Sequence, residues 1–175
     1  MRQKNIPLLL VVTAAFATST AHAATTGNLK FEGQVNAGTC NLAAGDVSRT
    51  VTLPHVQIAH FDSSVYAGAH DFEISAECES DVRNVTFLFT GTANTDNGQL
   101  FNNTGTSEGV ALWLYSRGAT DVTIPANGSI AQRSRTIATV SSKALLPLTA
   151  AYHRTGKPIT KGTLKSTVAV SISYD

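Results

Sequence analysis

Gly162-Thr163-Leu164-Lys165-Ser166-Thr167-Val168-Ala169-Val170-Ser171-Ile172-Ser173-Tyr174-Asp175 is the stretch whose reading decides the fold. Every second residue falls in one row, Leu164, Ser166, Val168, Val170, Ile172 and Tyr174, apolar except for Ser166. Thr167, Ala169, Ser171, Ser173 and Asp175 fall in the other. A repeat of two is the signature of a half-buried β-strand, because successive side chains of an extended chain point to opposite faces. A strand this apolar needs neighbours on both edges, since an uncovered edge pairs with other chains.

A second alternating run lies near the other end. Gly27, Leu29, Phe31, Gly33 and Val35 alternate with Asn28, Lys30, Glu32, Gln34 and Asn36, so this segment also reads as a strand. Between the two runs, short strands are expected at about 47–53, 69–77, 84–90, 109–115, 121–131, 134–140 and 145–153. Turn formers separate them: Ala67-Gly68, Asp96-Asn97-Gly98, Asn102-Asn103-Thr104-Gly105, Asn127-Gly128 and Thr155-Gly156-Lys157-Pro158. Seven to nine short strands without a convincing helical period predict an antiparallel β-sandwich.

Residues 1–23 stand apart. Arg2 and Lys4 precede an apolar stretch from Ile6 to Ala17, and Ala21-His22-Ala23 offers a small-residue cleavage site. That is the layout of a secretory signal peptide, too short for a membrane span. With Arg2 and Lys4 removed, the 13 Lys and Arg of the chain fall to 11, against 12 Asp and Glu. A near-neutral balance argues against a nucleic-acid partner, which needs a basic stripe. In an exported chain the two cysteines, Cys40 and Cys78, are expected to be oxidised to a disulfide. Two free thiols or a metal pair is the rival reading, and no CxxC or Cys/His ligand spacing accompanies it.

Catalytic patterns are thin. Gly105-Thr106-Ser107-Glu108-Gly109 matches G-x-S-x-G, with Asp121 and His153 following in order. A nucleophile elbow requires a strand before the serine and a helix after it, whereas here a turn precedes and a strand follows. The chain is therefore read as no enzyme, with no cofactor and no metal. His55, His60, His70 and His153 share no i, i+4 pairing. Trp113, Tyr115 and the phenylalanines sit at strand spacing, which suits core packing better than a sugar-stacking platform.

Taken together, these motifs resemble the subunits of chaperone–usher fimbriae, of the type 1 and P pilus class. Phe31-x-Gly33-x-Val35 ahead of Cys40 resembles the end of the family's N-terminal donor segment. The Cys40 to Cys78 spacing resembles its single disulfide, Gly109-Val110-Ala111-Leu112-Trp113-Leu114 its mid-domain strand, and Ala150-Ala151-Tyr152 the Ala-x-Tyr before the last strand. Gly162 and the penultimate Tyr174 resemble its C-terminal motif.

The resemblance implies an all-β, incomplete immunoglobulin-like sandwich completed by a donated strand. Residues 24–32 would form the donor extension and 33–175 the pilin domain. Gly27, Leu29, Phe31, Gly33 and Val35 would be the donor strand. Gly162, Leu164, Val168, Val170, Ile172 and Tyr174 would line the acceptor groove, and the terminal carboxylate of Asp175 would meet basic residues of a periplasmic chaperone. The implied partners are neighbouring subunits in a homo- or hetero-polymer, that chaperone and an outer-membrane usher. The product would be a cell-surface fimbrium exported through the periplasm. The alternative is a single-domain adhesive or tip-adaptor subunit whose loops near Asp96–Ser107 or Asp121–Ser129 contact a host receptor.

Overall fold

The computed structural model describes residues 30–34 and 36–175. Asn36–Asp175 forms one compact unit, and Met1–Val35 is a separate one. The expected signal peptide, Gly27, Leu29 and Val35 lie outside the described residues.

Among the described residues, eight strands make two antiparallel sheets. They are β1 (Cys40–Leu42), β2 (Tyr66–Cys78), β3 (Asn84–Gly91), β4 (Val110–Ser116), β5 (Val122–Thr123), β6 (Ser134–Ala138), β7 (Lys143–Arg154) and β8 (Val168–Tyr174). One sheet runs β1-β2-β7-β4-β5 and the other β6-β3-β8. Between them lies the core. Val85, Phe87 and Phe89 of β3 meet Ile74 and Ala76 of β2, Leu114 of β4, and Ala144, Leu146 and Leu148 of β7. Full burial of each large apolar side chain contributes roughly 1.5–3 kcal/mol, which is what holds the two layers face to face.

Cys40 and Cys78 stand directly opposite in the β1–β2 register and are joined by a disulfide. With a sequence separation of 38, the cross-link adds about 4 kcal/mol in the chain-entropy account. It pins the three-residue β1, too short to hold its place by ladder bonds alone.

Several expected strands differ. No strand forms at 47–53; those residues lie in a turn and an irregular segment. Asp46 and Arg49 replace the ladder with side-chain bonds. Asp46 Oδ2 accepts the Ser75 N–H at 2.8 Å, and Arg49 Nη1 donates to the Glu73 carbonyl at 2.5 Å. The edge of β2 beyond β1 is thus satisfied without a strand beside it.

Of 121–131, only Val122–Thr123 is extended. Pro125 has no N–H to give, and Ser129 with Gln132 forms a capping box that opens a single helical turn, α1 (Ile130–Arg133). Described residues 30–34 of the N-terminal unit are not in a strand. There Lys30 pairs with Glu32, and Phe31 is 88 % exposed.

Candidate strand-acceptor site

β8 is an edge strand. It pairs with β3 from Val85↔Tyr174 to Gly91↔Val168, and no other strand among the described residues borders it. Asp175 gives its N–H to the Asn84 carbonyl and accepts the Arg83 N–H. Backbone groups alternate between the two edges of an antiparallel strand, so the odd residues face β3. Val168, Val170, Ile172 and Tyr174 accordingly aim their N–H and C=O groups at the open edge.

The same four residues carry the apolar face. Val168, Val170 and Ile172 are half-buried and pack on the core, while Ala169, Ser171 and Ser173 are exposed. Tyr174 is 42 % exposed. Across the gap, β1 is the strand of the larger sheet nearest β8, and its Leu42 also packs, half-buried, on the core. Here one site combines a row of backbone hydrogen-bonding groups with incompletely covered core, and both ask for an extended segment.

Residues 162–167 carry the alternation further than the ladder. Leu164 and Ser166 are half-buried and Thr163, Lys165 and Thr167 exposed, in phase with β8. Their neighbour is an irregular loop, so a clasp forms in place of a sheet. Thr104 N–H donates to the Lys165 carbonyl at 2.8 Å, Ser107 N–H to the Thr163 carbonyl at 3.1 Å, and Lys165 N–H to Asn103 Oδ1 at 2.9 Å.

Glycine is required on both sides of the clasp. A Cβ on Gly162 would lie 2.4 Å from the Ser107 nitrogen, and one on Gly105 2.1 Å from the Thr163 oxygen. Gly109, which opens β4, has φ +72°, a left-handed conformation that costs other residues roughly 1 kcal/mol or more.

The clasp also accounts for Ser107. Its hydroxyl donates to the Thr160 carbonyl at 2.7 Å, and the chain continues into β4 rather than a helix, so the G-x-S-x-G stretch builds no nucleophile elbow. His60 serves the short helical turn Ile58–Phe61, its Nδ1 accepting the Gln57 N–H at 3.4 Å. Among the described residues no three His, Cys, Asp or Glu side chains are placed to hold a metal. Tyr152 of the Ala-x-Tyr motif is half-buried in β7, and desolvation raises its phenol pKa.

The aromatic expectation needs correction in part. Phe61, Phe87, Phe89 and Phe101 are buried, but Trp113 and Tyr115 are only half-buried. They project from the outer face of the larger sheet, opposite the row Val110, Leu112 and Leu114.

The fold and its open edge define the pilin class, an immunoglobulin-like sandwich missing its final strand. Residues 29–175 match the fimbrial protein family, and the chain belongs to that family. It is 31 % identical over 134 residues to the fimbrial subunit ElfA of Escherichia coli K12, covering 70 % of this chain and 75 % of that one. Its fold is similar to that of the P pilus rod subunit PapA, with TM-score 0.62 at 17 % identity, over 78 % of this chain and 99 % of that one. A subunit of a chaperone–usher pilus also superposes, with TM-score 0.59 at 13 % identity, over 90 % of this chain and 100 % of that one. The protein is a structural subunit of a cell-surface fimbria.

Proposed function

We propose that this subunit polymerises by strand exchange, with the open edge of β8 receiving the N-terminal segment of the neighbouring subunit. The observation that carries the reading is the coincidence at Val168, Val170, Ile172 and Tyr174 of outward backbone groups with half-covered apolar side chains. An added strand would complete the ladder and fill the side-chain sites in one step. Gly162 and Leu164, beside the clasp, would bound the far end of the groove, and Asp175 the near end.

The donor half rests on Gly27, Leu29, Phe31, Gly33 and Val35. Large apolar residues at every second position would enter the groove, and the glycines fit where another backbone comes close. Before assembly a periplasmic chaperone would supply the missing strand, and an outer-membrane usher would be where subunits exchange it.

Deleting residues 24–32 separates the two roles. The shortened chain is expected to be captured at the end of a growing fibre and to stop it, because it accepts a strand and offers none. Fibres of undiminished length assembled wholly from the shortened chain would overturn the proposal.

A further inference from the structure

The outer face of the larger sheet carries an aromatic cluster far richer than a solvated sheet face needs. Solvated faces of antiparallel sheets are ordinarily polar. Here Trp113 lies with its ring centroid 5.0 Å from Tyr66, 4.6 Å from Tyr115 and 5.8 Å from His153. These residues come from β2, β4 and β7, three adjacent strands of the sheet.

Small residues make room for the rings. Ala111 and Ala151 share this outward face, since Ala111 pairs with His153 and Ala151 with Trp113, yet both are 0 % exposed. The aromatic side chains lie down over them. The indole is held in place, because its Nε1–H donates to Thr123 Oγ1 at 3.2 Å.

Polar groups border the rings in the next row of the sheet. Asp71, Thr149 and Tyr115 stand in one cross-strand line. Thr149 Oγ1 donates to Asp71 Oδ1 at 2.6 Å, and Arg117 Nη1 pairs with Asp71 Oδ2 at 3.4 Å. Asp71 nevertheless keeps 59 % of its side chain exposed, so the carboxylate is oriented and still open to water. His153 Nδ1 donates to the Arg154 carbonyl at 2.7 Å, which makes Nε2 an acceptor in the neutral ring.

We propose that this face binds a saccharide, with a pyranose ring stacked on the Trp113–Tyr66 surface and its hydroxyls bonded to Asp71, Arg117 and His153. A pyranose presents an apolar C–H face ringed by hydroxyls. That matches fixed aromatic rings flanked by an oriented carboxylate and guanidinium. A purely apolar partner would instead desolvate Asp71 and Arg117 with nothing in return. Successive rows of the sheet are about 6.8 Å apart, so a β-linked disaccharide reaches from the rings to the carboxylate.

Trp113 is the single tryptophan of the chain, so fluorescence excited selectively in tryptophan reads this site alone. The strand-complemented subunit is titrated with lactose, cellobiose and chitobiose, and the expected result is a saturating change in Trp113 emission with at least one of them. Tyr66→Ala and Asp71→Asn are each expected to weaken that binding at least tenfold, with the far-UV circular dichroism and the melting temperature retained. Saturation-transfer NMR on the same samples guards against a silent fluorophore. Absence of both signals with all three sugars, or binding untouched by both substitutions, overturns the proposal. It is equally overturned if sedimentation shows self-association that Tyr66→Ala abolishes and the sugars leave unchanged, for then the face seats a second copy of the chain.

Discussion

The sandwich has two long edges, and they are finished in opposite ways. Where β5 meets β6, a single side chain closes the gap. Arg135 of β6 donates from Nε to Ser116 Oγ at 2.7 Å, from Nη2 to the Val122 and Thr123 carbonyls at 3.1 and 2.8 Å, and from Nη1 to the Gln132 and Ser134 carbonyls at 3.0 and 2.6 Å. All its donors are used across the seam between the two sheets. Where β8 faces β1, no side chain among the described residues does the equivalent. Val168, Val170 and Ile172 keep their backbone groups turned outward and their side chains half-covered. A polar clamp can end a sandwich permanently; an open strand edge has room for one more strand.

The largest effect is expected from a charge placed on the open edge. Val170→Asp would set a carboxylate among core residues once a strand covers it, and burying an unpaired charge is among the largest destabilisations available. Complete loss of incorporation into fibres is expected, measured by fibre yield. Arg135→Ala, at the other edge, should still allow incorporation. Equal loss for both would mean that the two edges are not functionally distinct.

Next is the disulfide, which holds one wall of the gap. Cys40→Ala with Cys78→Ala removes the cross-link that pins β1 beside β8. The expected cost is about 4 kcal/mol, read as a fall in the urea midpoint of the strand-complemented subunit. A domain lacking a strand has little stability to spare, so the uncomplemented subunit should lose its cooperative transition altogether.

Much of the open edge was legible in the sequence; at the closed one the strand β6 was, expected at 134–140, and the seam it makes with β5 was not. β8 could be read because its alternation sits in a strand with one core face and one wet face. The same alternation continues through Leu164 and Ser166, but period two cannot reveal that their neighbour is the loop at 103–107 and not a strand. At 47–53 the pattern misleads, because Asp46 and Arg49 satisfy the edge of β2 with side chains. The Ser129-x-x-Gln132 capping box was a readable sign of the helical turn α1. In β4, the rows Val110, Leu112, Leu114 and Ala111, Trp113, Tyr115 are both apolar, and hydrophobicity alone cannot choose the inward one. Arg135 left no trace at all, since its partners are one serine hydroxyl and backbone carbonyls brought together only by the fold.

The third test sharpens the closed edge. Arg135→Ala takes the guanidinium donor from the Val122 and Thr123 carbonyls, leaving Val122 with the Ser116 hydroxyl at 3.3 Å; hydrogen bonds to a charged group are worth about 1.5–3 kcal/mol each but are not additive. A net loss of about 2 kcal/mol is expected in urea denaturation of the complemented subunit. Arg135→Lys should recover little of it, because an ammonium group cannot form the planar fork. Desolvation lowers the pKa of this guanidinium from its ordinary value, yet arginine remains protonated at any pH where the fold survives. The stabilisation from the clamp should therefore be flat from pH 5 to 9.

The smallest effect belongs to the strand shared by both edges. Thr86 of β3 stands opposite Thr136 of β6 on one side and Ser173 of β8 on the other. Its hydroxyl lies 2.8 Å from that of Thr136, on the exposed face. Cross-strand pairs of this kind contribute roughly 0.2–1 kcal/mol, and valine keeps the shape and β-propensity of threonine. Thr86→Val should lower stability by no more than that, and in a double-mutant cycle the loss should vanish when Thr136 is already valine. Strand acceptance at β8 should be unaltered, because the hydroxyl touches neither the outward backbone groups nor the half-covered face. A change in the exchange rate with Thr86→Val would show that the closed edge is felt at the open one through β3, and the two endings could then no longer be treated as independent.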